Sequence, residues 1–470
     1  MFFDFLQTFN TKRRYIAYFC LLFNAYNEMC ARFGVSIAMI SGMVKTDCND
    51  PQDTGSFCWT EKVQALVLGA YFYGHTVQFV TVYVARRFTR FTITYRFWLV
   101  ITIVLQLSYP NIAAASTTFL IASQVFRGFV AAIMVTYHLD YISRFSVGSE
   151  GKVLISLVGA IHYVGQGTGG LIAGIMCDRF GWRYYFYYEG ACFIIGLALT
   201  LTFVPDLLHK SWYLTTKEKD LIVKHNSTLN GPHIPQEQSA GNESPQSRLS
   251  IRSVISRVYL ISFCIYAHAY TLVYYNSLSV VPFFLKKVLG ADPLIISYLN
   301  VVLTLLIAFC TMIMSYFFQR LDRILSWLMC RMVFAVVPMM LQLVFLVGLS
   351  TITSINTGIF ILTLSAIAAS TLYSGSIYTI NYEIDPKNSP LFVSIFNSFG
   401  QAAGFLGPML MAAITTTDPE IPDYNSVYKQ RWNYFFYTVA GVAAAGCVAI
   451  VGAYLVKPGE WVNRTGSISE

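Results

Sequence analysis

Apolar residues run through this sequence in stretches of about 20, the length at which an α-helix crosses roughly 30 Å of hydrocarbon. These stretches fall at residues 15–40, 62–85, 95–114, 117–140, 151–176, 184–204, 258–285, 293–318, 325–348, 354–380, 390–414 and 432–456. Polar residues collect between them, most densely over 205–257, whose middle, NSTLNGPHIPQEQSAGNESPQSRLS, has the composition of a partly disordered linker. The pattern predicts an all-α membrane protein of about twelve transmembrane helices. Its six-helix halves are residues 1–204 and 258–456, joined by the loop 205–257 and followed by a tail over 457–470.

The halves repeat one another. The fifth span holds Gly165-Gln166-Gly167-Thr168-Gly169 and the eleventh Gly400-Gln401-Ala402-Ala403-Gly404, a shared GQxxG. The sixth span opens on Trp182, Tyr184, Tyr185, Phe186 and Tyr187, and the twelfth on Trp432, Tyr434, Phe435, Phe436 and Tyr437. Both matches occur in order and at equivalent helices, which argues for duplication. Gly165, Gly169, Gly400 and Gly404 fit close helix packing better than ligand contact, since small residues four apart let helices approach. A dinucleotide loop is excluded for GQGTGG, which lies inside an apolar helix with no strand before it.

Composition agrees: 55% of the 470 residues are hydrophobic and 12% charged. Lys and Arg concentrate in the loops on the N-terminal side of the spans, so both termini are expected in the cytoplasm. The net charge of +8 therefore reports topology and calls for no nucleic-acid partner. The first span follows the basic TKRR and lacks a small-residue cleavage site, so it is expected to remain as a helix. The sequons at Asn226, Asn242 and Asn463 fall on the expected cytoplasmic side and are predicted to be unglycosylated. Cys48 and Cys58 share an expected exoplasmic loop, where a disulfide can form. The other cysteines have no metal-like spacing, and no cofactor is expected.

The chemistry lies inside the spans. A charged side chain at mid-bilayer costs about 2.5–3.5 kcal/mol on insertion scales and so faces a cavity or a partner. Glu28 and Arg32 are four apart on one helix face, in the order that favours an ion pair. They are either a self-neutralising pair or an anion anchor beside a titrating carboxylate, and the nearby Asn24 and Asn27 favour the anchor. Arg127, one turn beyond Gln124 in the fourth span, adds a second guanidinium suited to binding a carboxylate or phosphate bidentately. His75, His138, His162 and His268 each could shuttle a proton or simply donate to a carbonyl, with His75 the foremost coupling candidate beside Glu28. Asp140, Glu189, Glu383 and Asp385 lie near span ends, where interfacial solvation accounts for them. No Ser-His-Asp cluster, catalytic carboxylate pair, phosphate loop or metal-ligand run occurs in the aqueous loops, so an enzyme has no support.

Several segments resemble the anion/cation symporter branch of the major facilitator superfamily. These are Arg14-Tyr15 followed by Asn27 and ARFGVSIA, then FCWTEKVQALVLGAYFYGHTVQ, CDRFGWRYYFYYEG, VPFFLKKVLG, FNSFGQAAGFLGP and RWNYFFYTVAG, in the family's order over the whole chain. The resemblance implies a monomeric carrier of a small organic anion or phosphate in the plasma membrane or a vesicle membrane, working by rocking of the two halves. Transport would be coupled to protons, sodium or membrane potential. Arg32 would bind the anion, and Tyr270 and Tyr275 would line the opposite wall. The sequence also departs from the family. Gln124 and Arg127 exchange the residue types of two family positions, Ala131 stands where the family has its coupling carboxylate, and VTVYVARRFTRF replaces the glycines of a cytoplasmic gate. These departures raise the alternative of a transporter-like sensor or scaffold that no longer transports.

Overall fold

The computed structural model describes residues 13–45, 48, 56–80, 91–147, 150–205, 211–230, 258–321, 324–352, 354–375, 389–416 and 424–456. Glu383, Asp385, Asn242, Asn463, the tail and most of VTVYVARRFTRF lie outside the described residues.

The first half contains α1 (Tyr15–Ala38), continued by the π-turn Met39–Met43, then α2 (Glu61–His75), α3 (Phe91–Ala115), α4 (Thr117–Phe145), α5 (Glu150–Arg179) and α6 (Trp182–Phe203). The linker contributes α7 (Thr216–Asn230). In the second half, α8 (Val258–Tyr275) runs through a π-turn at Asn276–Val280 into α9 (Val281–Lys287). There follow α10 (Pro293–Leu321), α11 (Trp327–Ser350), α12 (Ile355–Gly375), α13 (Ser389–Thr415) and α14 (Tyr424–Val456). Among the described residues, six stretches, in α3, α4, α6, α10, α11 and α14, are long and apolar enough to cross a membrane by length and composition. α1, which is outside these six, carries the buried Asn24, Asn27, Glu28, Arg32 and Ser36 on its inward face.

Burial is inverted relative to a soluble protein. Large apolar side chains such as Phe119 (70% exposed) and Val448 (74%) face outward, while Arg127 (2%) and Glu189 (1%) are enclosed. An apolar exterior of this extent matches a hydrocarbon solvent.

Packing follows the repeat. In the first half α1 packs on α5 and α6, α2 on α4, and α3 on α4 and α6. In the second, α8 packs on α13 and α14, α10 on α12, and α11 on α12 and α14. The halves meet where α2 lies against α13 and α5 against α10.

The linker helix was not singled out from the sequence and lies ahead of most of the segment 226–250 read as partly disordered, of which 231–250 are outside the described residues. It starts with a capping box in which Glu218 N donates to Thr215 Oγ1 (3.3 Å) and Thr215 N to Glu218 Oε2 (3.2 Å). Glu218 also accepts from Arg14 N (3.4 Å), and the Arg14 guanidinium grips both oxygens of Glu150 at 2.6 and 2.7 Å. The linker helix is thereby anchored to the starts of α1 and α5.

Candidate functional site

A small pocket opens between the halves where α1, α2 and α4 face the π-turn after α8. Arg32, Ser36, Tyr71, Gln124, Arg127 and Ser279 are among its lining residues.

Arg32 projects from α1 toward the second half. Its Nη2 donates to Gln401 Oε1 of α13, which also accepts from Tyr275 Oη (3.0 Å). Four rings surround the guanidinium, with centroids at 4.4 Å (Phe72), 4.8 Å (Tyr71), 5.0 Å (Tyr275) and 5.1 Å (Phe33). Each such contact is worth about 0.5–2 kcal/mol, so the rings replace part of the hydration the cation has lost. Nε has no hydrogen-bond partner among the described residues.

Arg127 is placed by a close crossing of α2 and α4, where Gly74 meets Val125 and Gly128 meets Tyr71 backbone to backbone. Its Nη2 lies 4.0 Å from Glu28 Oε1, an oxygen that also accepts from Tyr71 Oη at 2.7 Å. None of the Arg127 nitrogens makes a hydrogen bond among the described residues. A guanidinium carries five N–H donors, so this buried group offers an acceptor-rich anion several sites.

Glu28 therefore differs from the helix-local pair expected from its spacing. The carboxylate pairs with Arg127 and Tyr71, which leaves Arg32 to reach across to the second half. Four residues on one face allow a pair; the tertiary partner is nearer and wins.

The other residues singled out by sequence fall as follows. Gln124 lines the pocket with Arg127. Tyr275 joins Arg32 through Gln401, whereas Tyr270 lies against Tyr163 of α5, the hydroxyls 3.3 Å apart. His75 stacks on Tyr71 with centroids 5.7 Å apart, and its Nδ1 has no hydrogen-bond partner among the described residues. His138 meets Tyr95 Oη at 3.0 Å, and His268 Nδ1 meets Phe399 O at 3.0 Å. His162 Nε2 has no hydrogen-bond partner among the described residues. The solvated reading of Asp140 and Glu189 is corrected: they are 2% and 1% exposed, because their helices place them on inward faces. Gly165 and Gly169 bring α5 against Tyr26 and Cys30 of α1, while Gly400 and Gly404 bring α13 against Thr271 and Phe72. Cys48 and Cys58 are joined as a disulfide, their Cα atoms 5.6 Å apart.

Three contributors were not singled out from the sequence. Tyr71 and Phe72 belong to an aromatic-rich span, in which no single ring stands out. Gln401 was visible as the Gln of GQxxG, but the glycines drew the attention; its repeat mate Gln166 likewise accepts from Tyr274.

The sequence profile of the Major Facilitator Superfamily matches residues 15–361 and, in a second alignment, 278–467. The chain belongs to the major facilitator superfamily. Relatives in this superfamily include human (Homo sapiens) sialin, 25% identical over 403 residues that cover 83% of this chain and 75% of sialin. Sodium-dependent phosphate transport protein 1 of Oryctolagus cuniculus is 21% identical over 86% of each chain. A probable small intestine urate exporter of Mus musculus is 24% identical over 83% of this chain and 75% of its own. Among solved structures, a bacterial homologue of the human lysosomal transporter Spinster, inward-facing and occupied, aligns with TM-score 0.61 and 15% identity over 95% of this chain and 97% of its own. A POT peptide transporter in complex with sulfate aligns with TM-score 0.66 and 10% identity over 93% and 94%. These structures share the fold. This superfamily member is a multi-pass membrane transport protein of plasma or vesicle membranes, and not an enzyme.

Proposed function

We propose that the protein is a secondary transporter that moves a small organic anion or phosphate by alternating access, with the anion held between Arg32 and Arg127. The observation that carries this reading is the pair of buried guanidinium groups on one pocket, Arg127 with its nitrogens free of hydrogen bonds among the described residues. Arg32 contacts both halves, so an anion seated on it would be felt by each half as they rock. Gln124 and Tyr275 complete the polar wall, and Tyr270 belongs to the adjoining contact between the halves. Relatives named for phosphate and urate, both anions, support the substrate class. Transport is coupled to a proton, sodium or potential gradient, and Glu28 and His75 flank the site through Tyr71.

The test is uptake of labelled phosphate, urate, sialate and glutamate into proteoliposomes under separate proton, sodium and potential gradients. Saturable uptake is expected, and Arg32→Ala should weaken it by about 30-fold or more, because truncating one partner of a buried charge-assisted contact costs about 2–5 kcal/mol. Absence of uptake of all four by folded protein would favour the non-transporting sensor or scaffold instead.

A further inference from the structure

Glu189 has no role in the site as described, yet its position is unusual. Aligning the repeat at Trp182 and Trp432 places Glu189 opposite Val439, which is 0% exposed in the second half. The fold accepts an apolar residue at this depth, and the first half carries a carboxylate there. That carboxylate is 1% exposed, and neither oxygen has a hydrogen-bond partner among the described residues.

Two interhelical bonds fix its level. Tyr185 Oη donates to Cys30 O (2.7 Å) and Asn27 Nδ2 donates to Cys192 O (3.2 Å). Together they bracket Glu189 on α6 and Glu28 on α1, one helical turn of α6 to either side, so the two carboxyls lie at the same depth. The charged groups acting on Glu189 are Arg127 of α4 and Glu28 of α1. Its other titratable neighbours are the Cys30 thiol of α1 and Tyr185, Tyr188 and Cys192 of α6 itself. From α3 the phenol Tyr109 stacks on Phe186 at 3.8 Å. Among all these, Arg127 is the cation.

Charge balance then decides which group must change. Arg32 and Arg127 offset Glu28 and Glu189, so arrival of one monoanion leaves one excess negative charge in a low-dielectric interior, a costly state unless neutralised. Glu28 accepts from the Tyr71 hydroxyl through Oε1, which lies 4.0 Å from Arg127 Nη2, whereas neither Glu189 oxygen has a donor among the described residues. Building on the anion-transport reading above, we propose that Glu189 is the proton acceptor of the transport cycle. One proton from water joins its carboxylate as each anion binds and leaves on the opposite side with the anion. The carboxyl O–H forms as a hydronium O–H breaks, and it breaks again as the proton returns to water on the far side.

The experiment uses full-length protein in proteoliposomes with labelled phosphate, urate, sialate and glutamate as probes. Exchange of internal for external anion at equal pH is compared with accumulation driven by an interior about one pH unit more alkaline, potential clamped. One coupled proton drives up to about tenfold accumulation across such a gradient. In Glu189→Gln, exchange should stay within about twofold of wild type while gradient-driven accumulation disappears, the split expected when coupling alone is removed. Glu189→Asp should accumulate. Glu189→Val, which installs the residue the repeat carries at this depth, is the second variant and should behave as Glu189→Gln. Accumulation by either neutral variant at the wild-type level, or wild-type exchange with no accumulation under the pH gradient, would overturn the assignment of Glu189 while leaving anion transport standing. Absence of exchange by folded wild type would overturn both.

Discussion

Two residues four apart on one helix, Glu28 and Arg32, turn to different partners, and the divergence decides what each can do. Glu28 is fixed by Tyr71 and Arg127 within the first half, while Arg32 spans the interface to Gln401 inside a box of four rings. The box selects arginine by shape. Lysine would keep the charge but lose both the planar face that stacks and the fork that binds bidentately. Arg32→Lys should therefore fold normally and bind the anion about 10- to 100-fold more weakly, as ligand-induced thermal shifts would register; shifts equal to wild type would show that charge alone matters. Tyr275→Phe keeps its ring and loses only the hydroxyl bond to Gln401, so the apparent KM should rise by about two- to tenfold, the worth of one net hydrogen bond. Arg32 and Arg127 were legible in the sequence because a guanidinium in a hydrophobic span is costly and demands a reason. The pairing of Glu28 with Arg127 was not legible, because spacing along a helix reports local neighbours and Arg127 arrives through the tertiary crossing of α2 and α4.

Among the helices, that crossing is the tightest geometric constraint near the site. A Cβ built on Gly128 would lie 1.7 Å from the Tyr71 carbonyl oxygen, and one on Gly74 would lie 1.8 Å from the Val125 carbonyl oxygen. Each obstacle is backbone, so no rotamer change relieves it and the helices must separate. Gly128→Ala should destabilise the protein by about 1–3 kcal/mol and weaken anion binding as well, because Tyr71 and Arg127 sit on the surfaces pushed apart. Gly441→Ala is the control: its Cβ would meet nothing within 4 Å, and the loss of a flexible residue from a helix should be neutral or stabilising by up to about 1 kcal/mol. Equal thermal stability of the two variants would refute the crossing as the determinant. The GQxxG repeat made the α5 and α13 approaches readable from sequence. Gly74 and Gly128 have no such repeat and emerge only when the two helices are seen together. The linker helix was missed for a different reason: Thr215 and Glu218 form a capping box, but the Asn, Ser and Pro-rich residues after it dominated the reading of the segment.

At the level of the whole molecule, the halves touch on both sides of the pocket along α2 and α13. Near the start of α2, Glu61 forms an ion pair with Lys287 and accepts from Tyr428 Oη (3.4 Å), while Lys286 Nζ donates to Ile40 O (2.7 Å). Past the other end of α2, Phe79 N donates to Ser398 Oγ (3.2 Å). Alternating access requires these two sets to break in turn. Glu61 and Lys287 are partly exposed, so their pair contributes no more than about 1 kcal/mol, enough to shift an open-to-closed ratio about fivefold but too little to lock it. Such a contact acts as a bias, which is what a reversible gate needs. Lys287→Gln should accordingly raise the rate at which an impermeant thiol reagent modifies a cysteine introduced by Ser279→Cys on the pocket wall, by up to about fivefold. Exchanging the charges, Glu61→Lys with Lys287→Glu, should return the rate toward wild type, and high salt should mimic Lys287→Gln because partly exposed pairs are screened. Unchanged labelling in Lys287→Gln would remove the pair from the gate. The side from which the reagent works carries a second result: the distribution of Lys and Arg predicts cytoplasmic termini, which would make this the exoplasmic gate, so faster labelling from the cytoplasmic face would overturn that orientation.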